Sequence, residues 1–224
     1  MKNITLITSI IDTPNIPLSY IKTRSVFNRQ ERFEQTQKTI LSVREKIPDN
    51  KILLIECSLL SDLERNFFQN NVDYFINVWD TNNENLIRRM FTISKSMGEG
   101  TMTIIALQFL FDNNIIFNNL FKISGRYWLN NNFNYSIFDN LVSCIRRIDN
   151  DINNMLCCFY KLSYNLTREW LEYLINSEED FINCKGYEVI FANFLLNYSN
   201  SICNIENKVG INGYISVCGE LLDA

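Results

Sequence analysis

The chain has 224 residues, a formal net charge of −4 and no histidine, with seven cysteines, seven glycines and three prolines. Its length suits one large domain or two small ones, and 46% hydrophobic with 13% aromatic residues supports a packed core and argues against disorder. The missing histidine excludes Ser-His-Asp triads, Cys-His dyads, His-ligated zinc and the H-x-E deaminase signature, leaving acid–base or metal work to carboxylates, Lys, Tyr, Cys or the substrate.

In chain order, Ile4 to Ile11 is nearly continuous in β-branched and apolar residues and predicts a buried strand, ended by Asp12, Pro14 and Pro17. Arg32 to Lys46 carries apolar residues at helical spacing and stops before Pro48. Lys51 to Glu56 predicts a second buried strand, Asp62 to Gln69 a helix, and Asp73 to Val78 a third strand. This β-α-β-α-β order predicts a parallel α/β sheet. Asn82 to Phe111 is read as helical with a break at Gly98-Glu99-Gly100. Leu120 to Ser124 and Met155 to Leu162 predict two more strands, Leu166 to Asn176 and Tyr187 to Tyr198 two helices, and Ile215 to Val217 a last short strand. No repeat and no Pro-, Gly- or Ser-rich linker divides the chain, so one domain is expected. Its nucleotide-binding half would run to about residue 125 and its acceptor-side half over 126–224.

Open parallel sheets bind ligands outside the carboxyl ends of their strands, so polar residues there are the first candidates. They are Ser9 and Asp12, then Glu56 to Ser58, then Asn77, Asp80 and Asn82, and finally Lys122, Ser124, Arg126 and Tyr127. Each has a plain alternative as a helix cap or a satisfier of loop backbone. Three stretches carry more chemistry. Arg24, Arg29 and Arg32 cluster after the first strand, where guanidinium groups suit a diphosphate; a solvated helix face is the alternative, preferred for Arg32. Ser94 to Gly100 (SKSMGEG) places Lys95, Gly98 and Glu99 at a helix start, where backbone N–H groups and Lys95 can approach a phosphate or a sugar. In FKISGRYWLN the strand period of two puts Lys122, Ser124 and Arg126 on one face. Two cations there call for an anion, either a ligand or a structural partner such as Glu56, Glu99 or Glu188. Glu188, among apolar helix positions, is either a general base in a cleft or a surface carboxylate.

The remaining composition bears on compartment and partners. A pI near 5.0 without a basic run argues against nucleic acid or anionic membranes. No segment reaches the roughly 18 apolar residues of a spanning helix, and no signal-peptide layout opens the chain, so membrane insertion is not expected. The odd cysteine count, without C-x-x-C, reads as buried reduced thiols of a cytoplasmic protein. The 32 Asn and 29 Ile against three Ala carry the imprint of an AT-rich genome.

The order of blocks ITSII, TRSVFNRQERFEQTQKTILSVREKIP, KILLIE, SKSMGEG, FKISGRYWLN, GYEVIFANFL and GINGYISVCGE resembles the small GT-A-type glycosyltransferases of large DNA viruses, such as those linked to chlorella virus capsid glycosylation. The resemblance implies a single α/β domain with a mostly parallel mixed sheet flanked by helices. It also implies a nucleotide-sugar donor (typically UDP-linked), a glycan or glycoprotein acceptor, and often Mn²⁺ or Mg²⁺. Thr8, Ser9 and Glu56 would then face the nucleotide, with Arg24, Arg29, Lys95, Gly98, Glu99, Ser124 and Tyr127 around the donor. Glu188, Lys122 and Arg126 would be the catalytic candidates. Where that family presents D-x-D for its metal, this chain reads Lys122-Ile123-Ser124-Gly125-Arg126. Either Asp80 or Glu99 serves a metal, or the cations neutralise the diphosphate themselves. The rival classes are a non-catalytic nucleotide- or glycan-binding protein that retains the fold, and a nucleotidyltransferase, which needs carboxylates clustered around two metals.

Overall fold

The computed structural model describes residues 2–148, 151 and 154–224. Strand β1 (Asn3–Ser9) leads into helix α1 (Arg29–Lys46), β2 (Asn50–Glu56), α2 (Asp62–Asn71) and β3 (Tyr74–Asn77). Helices α3 (Glu84–Met90) and α4 (Lys95–Asp112) then carry the chain to β4 (Asn119–Ser124). Beyond β4 come β5 (Tyr127–Leu129), β6 (Ser143–Ile145), β7 (Phe159–Ser163), α5 (Tyr164–Ile175), α6 (Glu178–Ile182) and α7 (Tyr187–Leu196). Short strands β8 (Ile202–Asn204), β9 (Ile211–Tyr214) and β10 (Leu221–Asp223) finish the chain.

The main sheet runs β3-β2-β1-β4-β7-β6-β8, and β10-β9-β5 forms a second, three-stranded sheet. The first four strands of the main sheet are parallel, with β1 aligned to β2 from Asn3↔Asn50 to Ser9↔Glu56 and to β4 through Thr8↔Ser124. Strand β7 runs antiparallel to β4. The expected mixed, mostly parallel sheet flanked by helices is therefore the observed architecture.

The strand period of two sorts the core into two layers. Ile4, Leu6, Leu53, Ile55 and Leu120 face the layer under α4, α5 and α7, which includes Leu107, Trp170 and Phe191. Ile7, Ile52, Leu54, Phe121 and Ile123 face the other layer, with Phe33 and Ile40 of α1 and Ile211 of β9. Local signals start the helices. Asn28 with Glu31 and Ser61 with Glu64 form capping boxes for α1 and α2, and Ser94 accepts from the Met97 N–H at the start of α4.

Several sequence expectations are corrected. The helical break lies between Met90 and Lys95, while Gly98 and Gly100 sit inside α4. A Cβ on Gly98 would stand 3.0 Å from the Met90 carbonyl oxygen, and one on Gly100 would enter the Phe181 ring, so both glycines allow helices to pack closely. The fifth expected strand is shorter and later, as β7, and the last expected strand is replaced by β9 and β10 on either side of Ile215–Val217. Strands β5, β6 and β8, of three residues each, had no recognisable pattern. Cysteines 57, 144 and 157 are buried thiols as expected, but Cys203 and Cys218 are exposed.

Candidate functional site

The chain builds outward from β1 through β2 to β3, then returns to place β4 on the other side of β1. That reversal opens a crevice at the carboxyl ends of β1 and β4, the position where open α/β sheets take ligands. Here lies a cleft whose floor is Thr8, Ser9, Ser124 and Gly125. One wall is the start of α4 (Lys95, Gly98, Glu99, Met102), and the others bring in Arg24, Arg32, Arg126 and Ser216. Close backbone approach shapes the floor. The Gly125 N–H donates to the Thr8 carbonyl at 2.8 Å, and a Cβ on Gly125 would meet Ser9 Cβ at 3.0 Å and Thr36 Oγ1 at 3.1 Å.

The lining charges are unequal: Arg24, Arg32, Lys95 and Arg126 against the single carboxylate Glu99. Glu99 is already engaged. The Lys122 ammonium, fully buried on β4, donates to the Glu99 carboxylate, to Ser124 Oγ at 2.8 Å and to the Cys157 carbonyl at 2.9 Å. All three ammonium protons are thus used, and Lys122 supports the cleft from beneath instead of touching a ligand as a catalytic residue. Burial alone would raise the Glu99 pKa, but the Lys122 charge and hydrogen bond hold it below the ordinary carboxylate value.

The cations differ in how they are satisfied. Arg24 donates to the carbonyls of Ile16 (3.1 Å), Met90 (3.4 Å) and Thr92, bracing the loop after β1 against the end of α3. Arg32, expected on a solvated face, is 7% exposed. It donates to the Ile10 carbonyl at 2.6 Å and to the Ser25 and Ser216 hydroxyls at 3.3 Å. Burial, with Arg126 beside it, pulls the Arg32 pKa down to about 9, which leaves it charged at neutral pH. Arg126 has no carboxylate partner among the described residues, and its Nε is buried with no hydrogen-bond partner. Lys95, whose side chain reaches solvent, also lacks an ion pair among the described residues. Desolvation by its surroundings and the Arg126 charge both hold its ammonium below the ordinary lysine value.

A second cleft adjoins the first and shares Lys95 and Glu99 with it. Its other lining includes Tyr20, Gly186, Tyr187 and Glu188. Glu188 is exposed in the first turn of α7, with no cation paired to it among the described residues. Burial and the nearby Glu188 charge raise the Tyr20 pKa, and Arg126 and Arg24 oppose the rise.

The remaining candidates lie elsewhere. Arg29 pairs with Glu64 through two hydrogen bonds of 2.8 and 2.6 Å and also reaches Asp12 at 3.1 Å, outside the cleft lining. That engagement holds the Glu64 pKa at about 2. Glu56 is fully buried, its Oε1 accepting from the Ile11 and Cys57 N–H groups and from Ser58 Oγ, so it organises the loops after β1 and β2 without facing the cleft. Tyr127 packs in the second core layer, where burial pushes its hydroxyl up to about 12. Asp80 is held by Arg65 at 2.6 and 2.8 Å. Sequence reasoning placed Arg32 on a solvated face and missed Thr36 and Ser216. Arg32 and Thr36 are one helical turn apart on the buried face of α1, a spacing that marks them. Ser216 is brought in by β9 and carries no sequence signal.

A divalent cation in the cleft would need several carboxylate or thiolate donors gathered around it. Among the described residues no three His, Cys, Asp or Glu side chains gather in a metal-binding group. Of the two sequence candidates, Glu99 is held by Lys122 and Asp80 by Arg65. These residues do not fit a metal centre.

No family model matches the chain, and no curated protein matches it. Solved structures do resemble it. A glycosyltransferase involved in glycosylation of the major capsid of PBCV-1 has a TM-score of 0.52 at 7% identity, over 92% of this chain and 82% of that one. Core-mannan synthase A of Aspergillus fumigatus, in a Mn/GDP form, gives 0.55 at 9% identity over 92% and 73%. A nucleoside-diphosphate-sugar pyrophosphorylase of Vibrio cholerae RC9 gives 0.53 at 9% identity over 93% of both chains. At such identities the likeness is one of fold, a GT-A-like α/β domain. No helix among the described residues is long and apolar enough to cross a membrane.

Proposed function

We propose that the chain is a glycosyltransferase that moves a sugar from a nucleotide-sugar donor to a glycan or glycoprotein acceptor. The observation that carries this reading is the cleft at the β1/β4 switch point, where four cations meet one carboxylate already neutralised by Lys122. Buried positive charge without an internal anion is costly, and a diphosphate supplies that anion. The fold likeness to nucleotide-sugar enzymes supports the same ligand class.

In this reading the Arg126 fork and the Lys95 ammonium hold the diphosphate, and Thr8, Ser9 and Ser124 floor the donor site. The acceptor enters the adjoining cleft. As its hydroxyl oxygen bonds to the anomeric carbon, the bond from that carbon to the β-phosphate oxygen breaks. Glu188 takes the hydroxyl proton and the nucleoside diphosphate leaves with the bonding electrons. Phosphate charge grows as that bond breaks, so cations placed there favour the transition state over the ground state. Donor chemistry would draw chiefly on residues up to about 125 with Arg126 and Ser216 added, and acceptor chemistry on the later half. Nucleotidyl transfer is less suited, since it relies on clustered carboxylates with two metals. UDP as the carrier, a viral source and a cytoplasmic setting belong to this proposal.

Thermal-shift screening with UDP, GDP and CMP tests the ligand class, because a ligand bound only by the native state raises the melting temperature. Stabilisation by one base is expected, and release of that nucleoside diphosphate from its sugar on adding acceptor completes the test. Glu188→Gln should abolish transfer while leaving nucleotide binding intact; unchanged turnover would remove Glu188 from the role of base.

A further inference from the structure

We propose that the chain binds the diphosphate of its ligand without a divalent cation, with Arg126 and Lys95 making the contacts a metal would otherwise make. This inference rests on the nucleotide-sugar assignment above and adds how that ligand is held.

Three observations carry it. First, the oxygens at the end of β4 that suit a cation already surround one. The Lys122 ammonium is held by the Glu99 carboxylate, Ser124 Oγ and the Cys157 carbonyl, and its side chain is fully buried. A divalent ion seeking Glu99 would have to displace that ammonium and strand it in the core. Second, the cleft presents unspent donors. The Arg126 Nε is buried without a partner, although a guanidinium Nε–H beside such a cleft normally finds an acceptor. Phosphate oxygens are suitable acceptors, and the planar fork of arginine can engage two of them. Third, the field is wrong for a metal. Arg24, Arg32, Lys95 and Arg126 would each repel an added cation, whereas the desolvation and mutual repulsion already lowering Lys95 and Arg32 are relieved by an anion.

The division of labour follows from partner satisfaction. Arg24 and Arg32 are engaged with carbonyls and hydroxyls and supply charge from fixed positions. Arg126 and Lys95 remain free to move onto the ligand. Lys122 is a positioning residue that removes Glu99 from competition.

The test is calorimetric titration of the full chain with UDP and GDP, each in EDTA and in Mn²⁺ or Mg²⁺. For whichever nucleotide binds, the dissociation constant is expected to agree within roughly twofold across the arms. Arg126→Met and Lys95→Met should each weaken binding roughly 10- to 100-fold in every arm, the loss expected for charge-assisted hydrogen bonds. Arg126→Lys should fall between Arg126→Met and the unsubstituted chain. Lys95 reaches solvent, so Lys95→Met tests the proposal even if Arg126→Met fails to fold. Binding that requires Mn²⁺ or Mg²⁺, or tightens tenfold or more with either, overturns the proposal and leaves the nucleotide assignment standing. Undiminished binding by Arg126→Met and Lys95→Met overturns it as well. Absence of binding by either nucleotide in all arms overturns both.

Discussion

Two groups of cations lie near the ends of the parallel strands, and they are built on opposite plans. Arg29 and Lys122 are saturated: Arg29 by Glu64, Asp12 and the Leu59 carbonyl, and Lys122 by Glu99, Ser124 and the Cys157 carbonyl. Arg126 lies two residues from Ser124 and Lys95 four residues from Glu99, yet neither cation has a carboxylate of its own among the described residues. Residue type does not separate the two groups, and neither does burial, since Arg29 of the first and Arg126 of the second are both partly exposed. What separates them is whether every donor has an acceptor. Saturated cations hold the loops and strands in place, and unsaturated ones are those the proposed function assigns to the ligand.

Substitutions that remove a partner should break this contrast most severely. Glu99→Ala leaves Lys122 charged and uncompensated in the core, with an expected loss of about 3–5 kcal/mol. At about 2–4 °C per kcal/mol for a chain of this size, calorimetry would register a marked fall in melting temperature. A smaller loss, about 1–2 kcal/mol, is expected for Glu64→Gln, because Arg29 is partly exposed and keeps Asp12. The pH dependence of the Glu64 contribution has a definite sign. Its folded pKa of about 2 lies below the ordinary 4.5, so the stabilisation is complete above about pH 4.5 and fades as pH falls toward 2. Acid titration of stability in the unsubstituted chain and in Glu64→Gln should therefore converge over that window. Arg126→Met should change stability least, by under about 0.5 kcal/mol or in the stabilising direction, because it removes an unpaired buried donor. A large loss would show that Arg126 belongs with the saturated group.

The parallel half of the molecule was legible in the sequence because its signals are local. Apolar β-branched runs such as ITLITSII and KILLIE, and the turn signals after them, mark strands to within one or two residues. The three-residue strands β5, β6 and β8 were not legible, since their pairing depends on distant partners such as Gly213 against Tyr127 and Cys203 against Cys144. The site was legible at the level of position and sign of charge. Thr8, Ser9, Lys95, Glu99, Ser124 and Arg126 do meet at the sheet edge, and Arg24 joins them. The allocation of partners was not legible. Whether Arg29 binds Glu64 or faces a ligand depends on how α1 and α2 pack. The inward turn of Arg32 depends on Ile10 and Ser216, which lie 22 residues before it and 184 after it. The glycines misled for a related reason, since Gly98 and Gly100 answer to Met90 and Phe181, neither adjacent in sequence.

Helix α4 has a consequence for the order of events. Its first two turns carry Lys95 and Glu99 on the partition between the two clefts, and the ring of Phe181 lies against Gly100 near the start of the same helix. A ligand in either chamber therefore meets the same two side chains. In the proposed reading, an ammonium drawn toward an anion in one chamber is withdrawn from the other, which would link the two occupancies reciprocally. In the proposed reaction the partition would act as a shared switchboard: filling the first chamber would reset the charge that the second presents to whatever arrives next.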